Sequence, residues 1–600
     1  MTGESESVTE ANAIRTHGNR IRKIYQFGAV LIAVAMLSSA LTFMAIGDGP
    51  TEWGTYIEPG SMVSDADYII FKDGSDYKAK NGTTGAIDES SGVFETLWGS
   101  VMAKMAGGGD IYLDSGLYMK TSTAGLGIYS NVHVEMGANT IIRLSANVGN
   151  DPRIFWVESE ENITISGGEL DGNKNAHTTI TGIASMAIGF SGVNNVVIDS
   201  VRIKDVGTSE ALSGYGVYLA NSSYAIVTNN HISGCKRESV VAFDNSDNCI
   251  ISGNVMIDAE DRHIVVHDSN YTLVSNNILT NSVGYAIDLY AVTPHAHEGI
   301  ICNGNSIQGS GSTGIYTYGV DGIHISANSV YNVVGTGIAL DSADYARVTG
   351  NLVDNAATGV HATGDYCVVS GNTLVDCDDT NGAGIMVDGD YAHIASNTII
   401  DARRGIQLFA GSDDAVLASN VVKDCEKDGI YITAIADAVI IGNTVSNNGV
   451  SAIGGEMNGI AIATGAVNVK VTGNLAFKGT AQNYALRAFA GASDIVVTYN
   501  DFEEGGTLGA INDASTDAII QYNTGHATEA SSIATITGAV NTVVVTHGLV
   551  ATPTIVLVTG NDTGIGDYWV TATSSTQFTI SFESQPGGST WGFYWYAQTW

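Results

Sequence analysis

An asparagine that returns every twenty-odd residues constrains the fold of this chain more than any other feature. The phrase V-x-G-N-x-hydrophobic recurs with its Asn at 230, 254, 277, 305, 328, 351, 372, 397, 420, 443, 474, 500 and 523. The steps are 24, 23, 28, 23, 23, 21, 25, 23, 23, 31, 26 and 23 residues. About nine residues after each Asn comes a second phrase, small-hydrophobic-x-hydrophobic-x, as in GIYTY (314–318), GIALD (337–341) and GIQLF (405–409). Period-two alternation of β-branched residues between Gly, Asn and Asp turns predicts short strands. A unit of this length is too short for a WD blade, has no helical period and lacks the leucine-rich consensus. It fits one turn of a parallel β-solenoid, with the Asn side chains stacked as a hydrogen-bonding ladder along the bend.

The composition agrees. Between Pro152 and Pro553 the one proline is Pro294, as expected where backbone N–H groups are needed in ladders. A hydrophobic content of 44% excludes wholesale disorder, and 600 residues suggest two to four units. The net charge of −37 argues against nucleic acid as a partner and against a polybasic face on anionic lipid.

The stretch GGGDIYLDSGLYMKTSTAGLGIYSNVHVEMGANTIIRLS (107–145) and the phrase SGGELDGNKN (166–175) resemble the entry coils of the pectate-lyase-like right-handed parallel β-helix superfamily. The later GN-T…GI units resemble its short repeats, and the resemblance covers about residues 68–525. It implies a right-handed β-helix. It does not specify a chemistry, because that superfamily includes lyases, hydrolases, epimerases, adhesins and virion spikes. The end of the chain, with THGL and GFYWYAQTW, resembles C-terminal modules of phage tail proteins and secreted β-helix proteins.

The expected fold is all-β with added ends. Residues 1–23 read as a cytoplasmic leader, with Arg15, Arg20, Arg22 and Lys23 before an uncharged run at 27–46. That run is long enough to cross a bilayer, so 24–47 is read as a transmembrane anchor, with a cleaved secretion signal as the rival. Either places the bulk of the chain outside the cytoplasm, on the outer face of the cell membrane or secreted. Residues 48–106 are expected to be a linker and N-terminal cap, with a short helix carrying Leu97, Val101, Met102 and Met105 on one face. The β-helix is expected over 107–525 and an antiparallel β-sandwich over 528–600.

Function is sought on the outward positions of the second phrase. Its third and fifth places should point out, and coils stack about 4.8 Å apart. Phe243, His267, Asp288, Tyr290, Tyr316, Tyr318, Asp341 and His361 should therefore form one patch. Aromatic rings beside carboxylates suit a sugar chain, whose C–H faces stack on rings, while Tyr and Phe stacked on neighbouring coils would also stabilise the sheet face without any ligand. A longer step after Asn277 puts His295, His297 and Glu298 on a loop beside the patch. As catalytic groups, Asp288 with Asp268 or Asp341 with Asp388 are candidate carboxylate pairs for a hydrolase, and His267 or Tyr290 a candidate base for a uronate lyase. Lys236, Arg237 and Glu238 match Glu260, Asp261 and Arg262 one coil on, which predicts ion pairs Arg237–Asp261 and Glu238–Arg262 between coils. Arg404 and Asp428 match in the same way. Asp344, Asp365, Asp390 and Asp413 form an acidic column seven places before the repeated Asn, a candidate calcium row or a row of turn aspartates. Tyr224, Tyr271, Tyr345, Tyr366 and Tyr391 follow the same turns and read as a structural stack. The six cysteines read as buried thiols, with Cys235–Cys249 and Cys367–Cys377 the bridges that export would permit. These readings converge on a cell-surface polysaccharide-binding protein, lyase or hydrolase. The rivals are a non-enzymatic adhesin or envelope component and a trimeric virion spike.

Overall fold

A computed structural model describes residues 65–177, 185–208, 213–292, 299–451, 456–537, 540–560, 565–583 and 590–599. The uncharged run at 27–46 lies outside them. Among the described residues no helix is long and apolar enough to cross a membrane.

Each coil contributes three short strands, and each strand pairs in parallel with its equivalent one coil on. Ile226–Thr228, Ile250–Ser252 and Leu273–Ser275 belong to the ladder before the Asn. His231–Ser233, Val255–Ala259 and Ile278–Ser282 belong to the ladder after it. The two are joined into one 33-stranded sheet through the long strands Val132–Leu144 and Glu161–Asp171. The second phrase builds a separate 15-stranded sheet, the third face. Inward residues are β-branched or aliphatic and stack into one core running the length of the coils. The small residue opening the second phrase is required by that packing: a Cβ at Gly337 would come within 2.4 Å of Val353 Cγ1 and 2.8 Å of the Gly359 carbonyl.

The asparagine ladder forms as expected. Asn372 is typical: its Nδ2 donates to Asn397 Oδ1 at 2.9 Å and to the Val348 carbonyl at 2.9 Å. Its Oδ1 accepts the backbone N–H and the Nδ2 of Asn351 at 2.9 and 3.0 Å. Every polar atom of a buried amide is thus used, which is why the residue cannot vary.

The solenoid starts before the expected boundary. Tyr68–Asp73 pairs in parallel with Gly109–Leu113 and antiparallel with Asp76–Asn81, which in turn pairs with Ile87–Ser91. The expected helix is present at Phe94–Lys104. It buries Phe94, Leu97, Trp98, Val101 and Met102 over the open end, and the Trp98 indole donates to the Gly127 carbonyl at 2.7 Å. At the other end, Glu529–Thr537, Thr590–Gln598 and Ile555–Gly560 form one antiparallel sheet. Thr542–Thr546, Gln577–Phe582 and Tyr568–Thr573 form another. Phe578, Phe582, Trp591, Phe593 and Trp595 lie in one apolar cluster drawn from both sheets. All six cysteines are free and buried, so neither permitted disulfide is made. Burial pushes the Cys235, Cys249, Cys302, Cys367 and Cys377 thiols up to about 12, which leaves them unreactive.

Candidate functional site

The third face carries the expected columns in exact register. Val241, Val265, Asp288, Tyr316, Ala339 and His361 pair in sequence, and beside them Phe243, His267, Tyr290, Tyr318 and Asp341 do the same. The rings of the second column stack face to face. Phe243 and His267 lie 4.6 Å apart at 9°, His267 and Tyr290 4.9 Å at 2°, and Tyr290 and Tyr318 5.1 Å at 17°. This is the packing alternative of the sequence reading, and it limits the binding one. The inner rings spend their faces on one another and turn edges and hydroxyls outward, so a sugar ring cannot lie flat on the middle of the column.

The first column is shielded. Val241, Val265 and Asp288 are buried, although they sit on the outer side of the sheet. Asp288 Oδ2 meets Arg262 Nη1 at 3.0 Å, while its Oδ1 is buried without a hydrogen-bond partner. Burial pushes the Asp288 carboxyl up to about 6, against the pull of Arg262.

Arg262 belongs to a chain of charges that the sequence shows only in part. Arg237 lies 3.3 Å from Glu238 and 3.8 Å from Asp261, and Arg262 lies 3.7 Å from Asp261. The Arg237–Asp261 pair forms as expected. The expected Glu238–Arg262 pair does not, because Arg262 reaches forward a further coil to Asp288. Glu238 is buried and is pushed up to about 7 by desolvation. Arg237 donates to the Tyr215 hydroxyl at 2.5 Å and covers that ring at 5.3 Å, while Arg262 lies 5.5 Å over Tyr285. Tyr285 stacks on Tyr316 at 4.7 Å, and the Tyr316 hydroxyl donates to Asp341 at 3.3 Å. Desolvation and then Asp341 raise the Tyr316 phenol. Sequence reasoning passed over Tyr285 and took Glu238 only as an ion-pair partner of Arg262. Their signal is that both stand in the register column of Arg262.

The members of the two carboxylate pairs expected for hydrolysis each have other partners. Asp268 sits in the turn after its strand, accepts the Val292 N–H at 2.8 Å and lies beside His267, not Asp288. Asp341 accepts Thr363 Oγ1 at 3.3 Å, and Asp388 holds His361 Nε2 at 2.9 Å, one coil further on. His295, His297 and Glu298 lie outside the described residues.

The acidic column has a structural use. Each carboxylate caps the next coil: Asp344 Oδ1 accepts the Asp365 N–H at 2.8 Å, Asp365 the Asp390 N–H at 2.9 Å, Asp390 the Asp413 N–H at 2.8 Å and Asp413 the Ala436 N–H at 2.6 Å. Among the described residues the donor atoms of this row do not converge as a calcium site does. The one convergent group of three is Asp244, His267 and Asp268. Tyr345, Tyr366 and Tyr391 follow in left-handed turns and stack at 4.9 and 4.6 Å.

A second charge network lies further along. Arg404 reaches Glu456 at 3.0 Å instead of Asp428, and Lys427 also meets Glu456, at 2.6 Å. Asp428 is fully buried, accepts the Asn458 N–H at 2.9 Å and is pushed up to about 6 by burial.

Two concavities of the surface lie away from the aromatic column. One of about 470 Å³ is lined by Asn332, Val334, Asn355 and Asp378, and one of about 370 Å³ by Ile519, His526, Val550 and Thr599. Neither is lined by the aromatic and charged residues of the third face.

Comparison with known proteins places these features. The family model described as "Right handed beta helix region" matches residues 124–307 and 313–476, more than half of the chain. An uncharacterized protein of Bacillus subtilis (strain 168), YclG, is 32% identical over 121 residues, which is 19% of this chain and 20% of that protein. Among solved structures, a tailspike protein double mutant of E. coli bacteriophage HK620 in complex with pentasaccharide matches with a TM-score of 0.42 and 12% identity. The match covers 84% of this chain and 90% of that one. A second mutant of the same tailspike matches with a TM-score of 0.42 at 13% identity, over 84% and 89%.

Proposed function

This chain belongs to the right-handed beta helix family, and we propose that it is an exported member that binds a polysaccharide along its third face. The observation that carries the reading is the register. Over the coils from Tyr215 to Asp341 the backbone register is unbroken, so the polar and aromatic side chains of the face fall into columns at the coil spacing. Tyr hydroxyls, two guanidinium groups and the Asp261 and Asp341 carboxylates are held there by stacking and by one another. A rigid, open, periodic array suits a polymer of repeating hydroxylated units better than a small molecule, which needs enclosure. The ordering cost of these side chains is met in the free protein, so binding loses little entropy. Export by the 24–47 segment puts the face in contact with cell-surface or environmental glycans.

Cleavage is the second reading, favoured by the raised carboxyl of Asp288 at 3.0 Å from the Arg262 guanidinium. A carboxyl that titrates near neutral pH can act as the acid of glycosidic hydrolysis or the base of uronate elimination, and a fixed cation beside it can stabilise the charge that elimination develops. The burial of Asp288 and its engagement by Arg262 fit binding better than turnover. The test is a panel of neutral and uronate-containing polysaccharides, run for retention in affinity gels, for new reducing ends and for the ultraviolet absorbance of unsaturated uronates. Retention without new ends supports the binding reading. New ends that vanish in Asp288→Asn establish catalysis. No retention on any member of the panel counts against both.

A further inference from the structure

His267 is the last residue of a strand on the third face, and Asp268 follows it in the turn. Asp244 occupies the same turn position one coil earlier, and both aspartates adopt a left-handed backbone, φ 48° each. That conformation is open to Asp at little cost and turns both side chains to the same side of the stack. We propose that Asp244, His267 and Asp268 form a divalent transition-metal site that takes Zn²⁺, with water completing the coordination.

Four observations support it. The candidate donor atoms of the three residues all lie within 4.8 Å of one another. His267 Nδ1 is buried and has no hydrogen-bond partner, although Asp268 Oδ2 is 3.4 Å away. Two ligands bound tetrahedrally at about 2.0–2.2 Å from a zinc ion stand roughly 3.4 Å apart, so this separation fits a shared cation better than a direct hydrogen bond. The stack fixes the plane of the ring, which lies between Phe243 at 4.6 Å and Tyr290 at 4.9 Å. The Asp268 carboxylate is oriented too, because the Val292 N–H donates to its Oδ1 at 2.8 Å while its Oδ2 faces His267 Nδ1. Such outer bonds commonly orient metal ligands.

One imidazole nitrogen with two carboxylate oxygens favours zinc over manganese, and both over calcium, which prefers an all-oxygen shell of six or more ligands. His267 and Asp268 keep about a fifth of their side-chain surface open, 19% and 20%, so an ion can enter and hold a water. The site stands on these residues alone and does not depend on whether the face binds a polysaccharide.

The test is calorimetric titration of the chelator-treated full chain with Zn²⁺, then with Mn²⁺ and Ca²⁺. The expected result is one zinc per chain, with manganese weaker and calcium weakest. His267→Phe keeps a flat ring in the stack and removes the nitrogen, and should abolish that equivalent. Asp244→Asn should weaken it at least tenfold with the Tm of the metal-free protein unchanged. Asp244 lies in a turn, so this variant decides the matter if His267→Phe does not fold. Absence of a zinc equivalent in the parent overturns the site. So does zinc binding that is unchanged in the variants, which marks an adventitious ion only, or calcium binding tighter than zinc.

Discussion

The asparagine corner and the third face are built on the same coils, and they treat sequence in opposite ways. At the corner one residue is repeated coil after coil, because each amide must both give to and take from its neighbours in a buried line. On the third face the column through Asp288 changes from Val265 to Asp288 to Tyr316 to Ala339 to His361 over successive coils. The backbone register is equally strict in both. Uniformity therefore marks what the fold needs, and variation within a fixed register marks where the coils are free to carry chemistry.

The largest expected effect falls on the uniform side. Asn372→Ala strands the Val348 carbonyl and the Asn351 N–H in the core and breaks the ladder in both directions. A loss of about 3 kcal/mol or more is expected in urea unfolding, since each orphaned buried group costs roughly 1–3 kcal/mol. A loss under about 1 kcal/mol would break the contrast.

The third face should show its character in the pH dependence of stability. Glu238, Asp288 and Asp428 have carboxyls raised in the folded state to about 7, 6 and 6. Between the ordinary carboxylate range and those values the folded chain holds more protons than the unfolded one. Their contribution to stability is therefore fully present below pH 4 and falls as pH rises toward 7. The fall should show in thermal melts between pH 4.5 and 7.5, and Glu238→Gln should flatten its upper end.

A smaller effect is expected in the aromatic column. Tyr290→Leu removes two stacked contacts, at 4.9 and 5.1 Å, and should cost about 1–2 kcal/mol. The smallest belongs to the exposed stack at the aspartate turns. Tyr366→Ser loses contacts at 4.9 and 4.6 Å on the exposed surface, and should cost less than about 1 kcal/mol by the same unfolding measurement.

The contrast also explains what could be read from the residues alone. The ladder was legible because one residue type recurs at one step. The columns of the third face were legible because a parallel coil preserves register, so Tyr290 had to lie beside His267 and Tyr318. Register gives adjacency and not orientation, so it left open whether those rings stack on one another or turn their faces to a ligand. Long side chains escape it as well: Arg262 bypasses Glu238 for Asp288, and Arg404 bypasses Asp428 for Glu456. The aspartate row was seen as a column, but its carboxylates bind backbone N–H groups, and side-chain spacing is silent about those. Asp-Tyr at 344–345, 365–366 and 390–391 was the available hint, an Asx-type cap followed by a left-handed residue.

The most direct test of the central claim is polysaccharide retention by the parent chain beside two variants in affinity gels. The double variant Asp261→Asn, Tyr316→Phe alters outward polar groups of the third face with little change in volume, and Tyr366→Ser alters the aspartate-turn stack. The account predicts that the double variant loses retention at least tenfold while Tyr366→Ser matches the parent. Equal retention by all three, or loss in Tyr366→Ser alone, would contradict it.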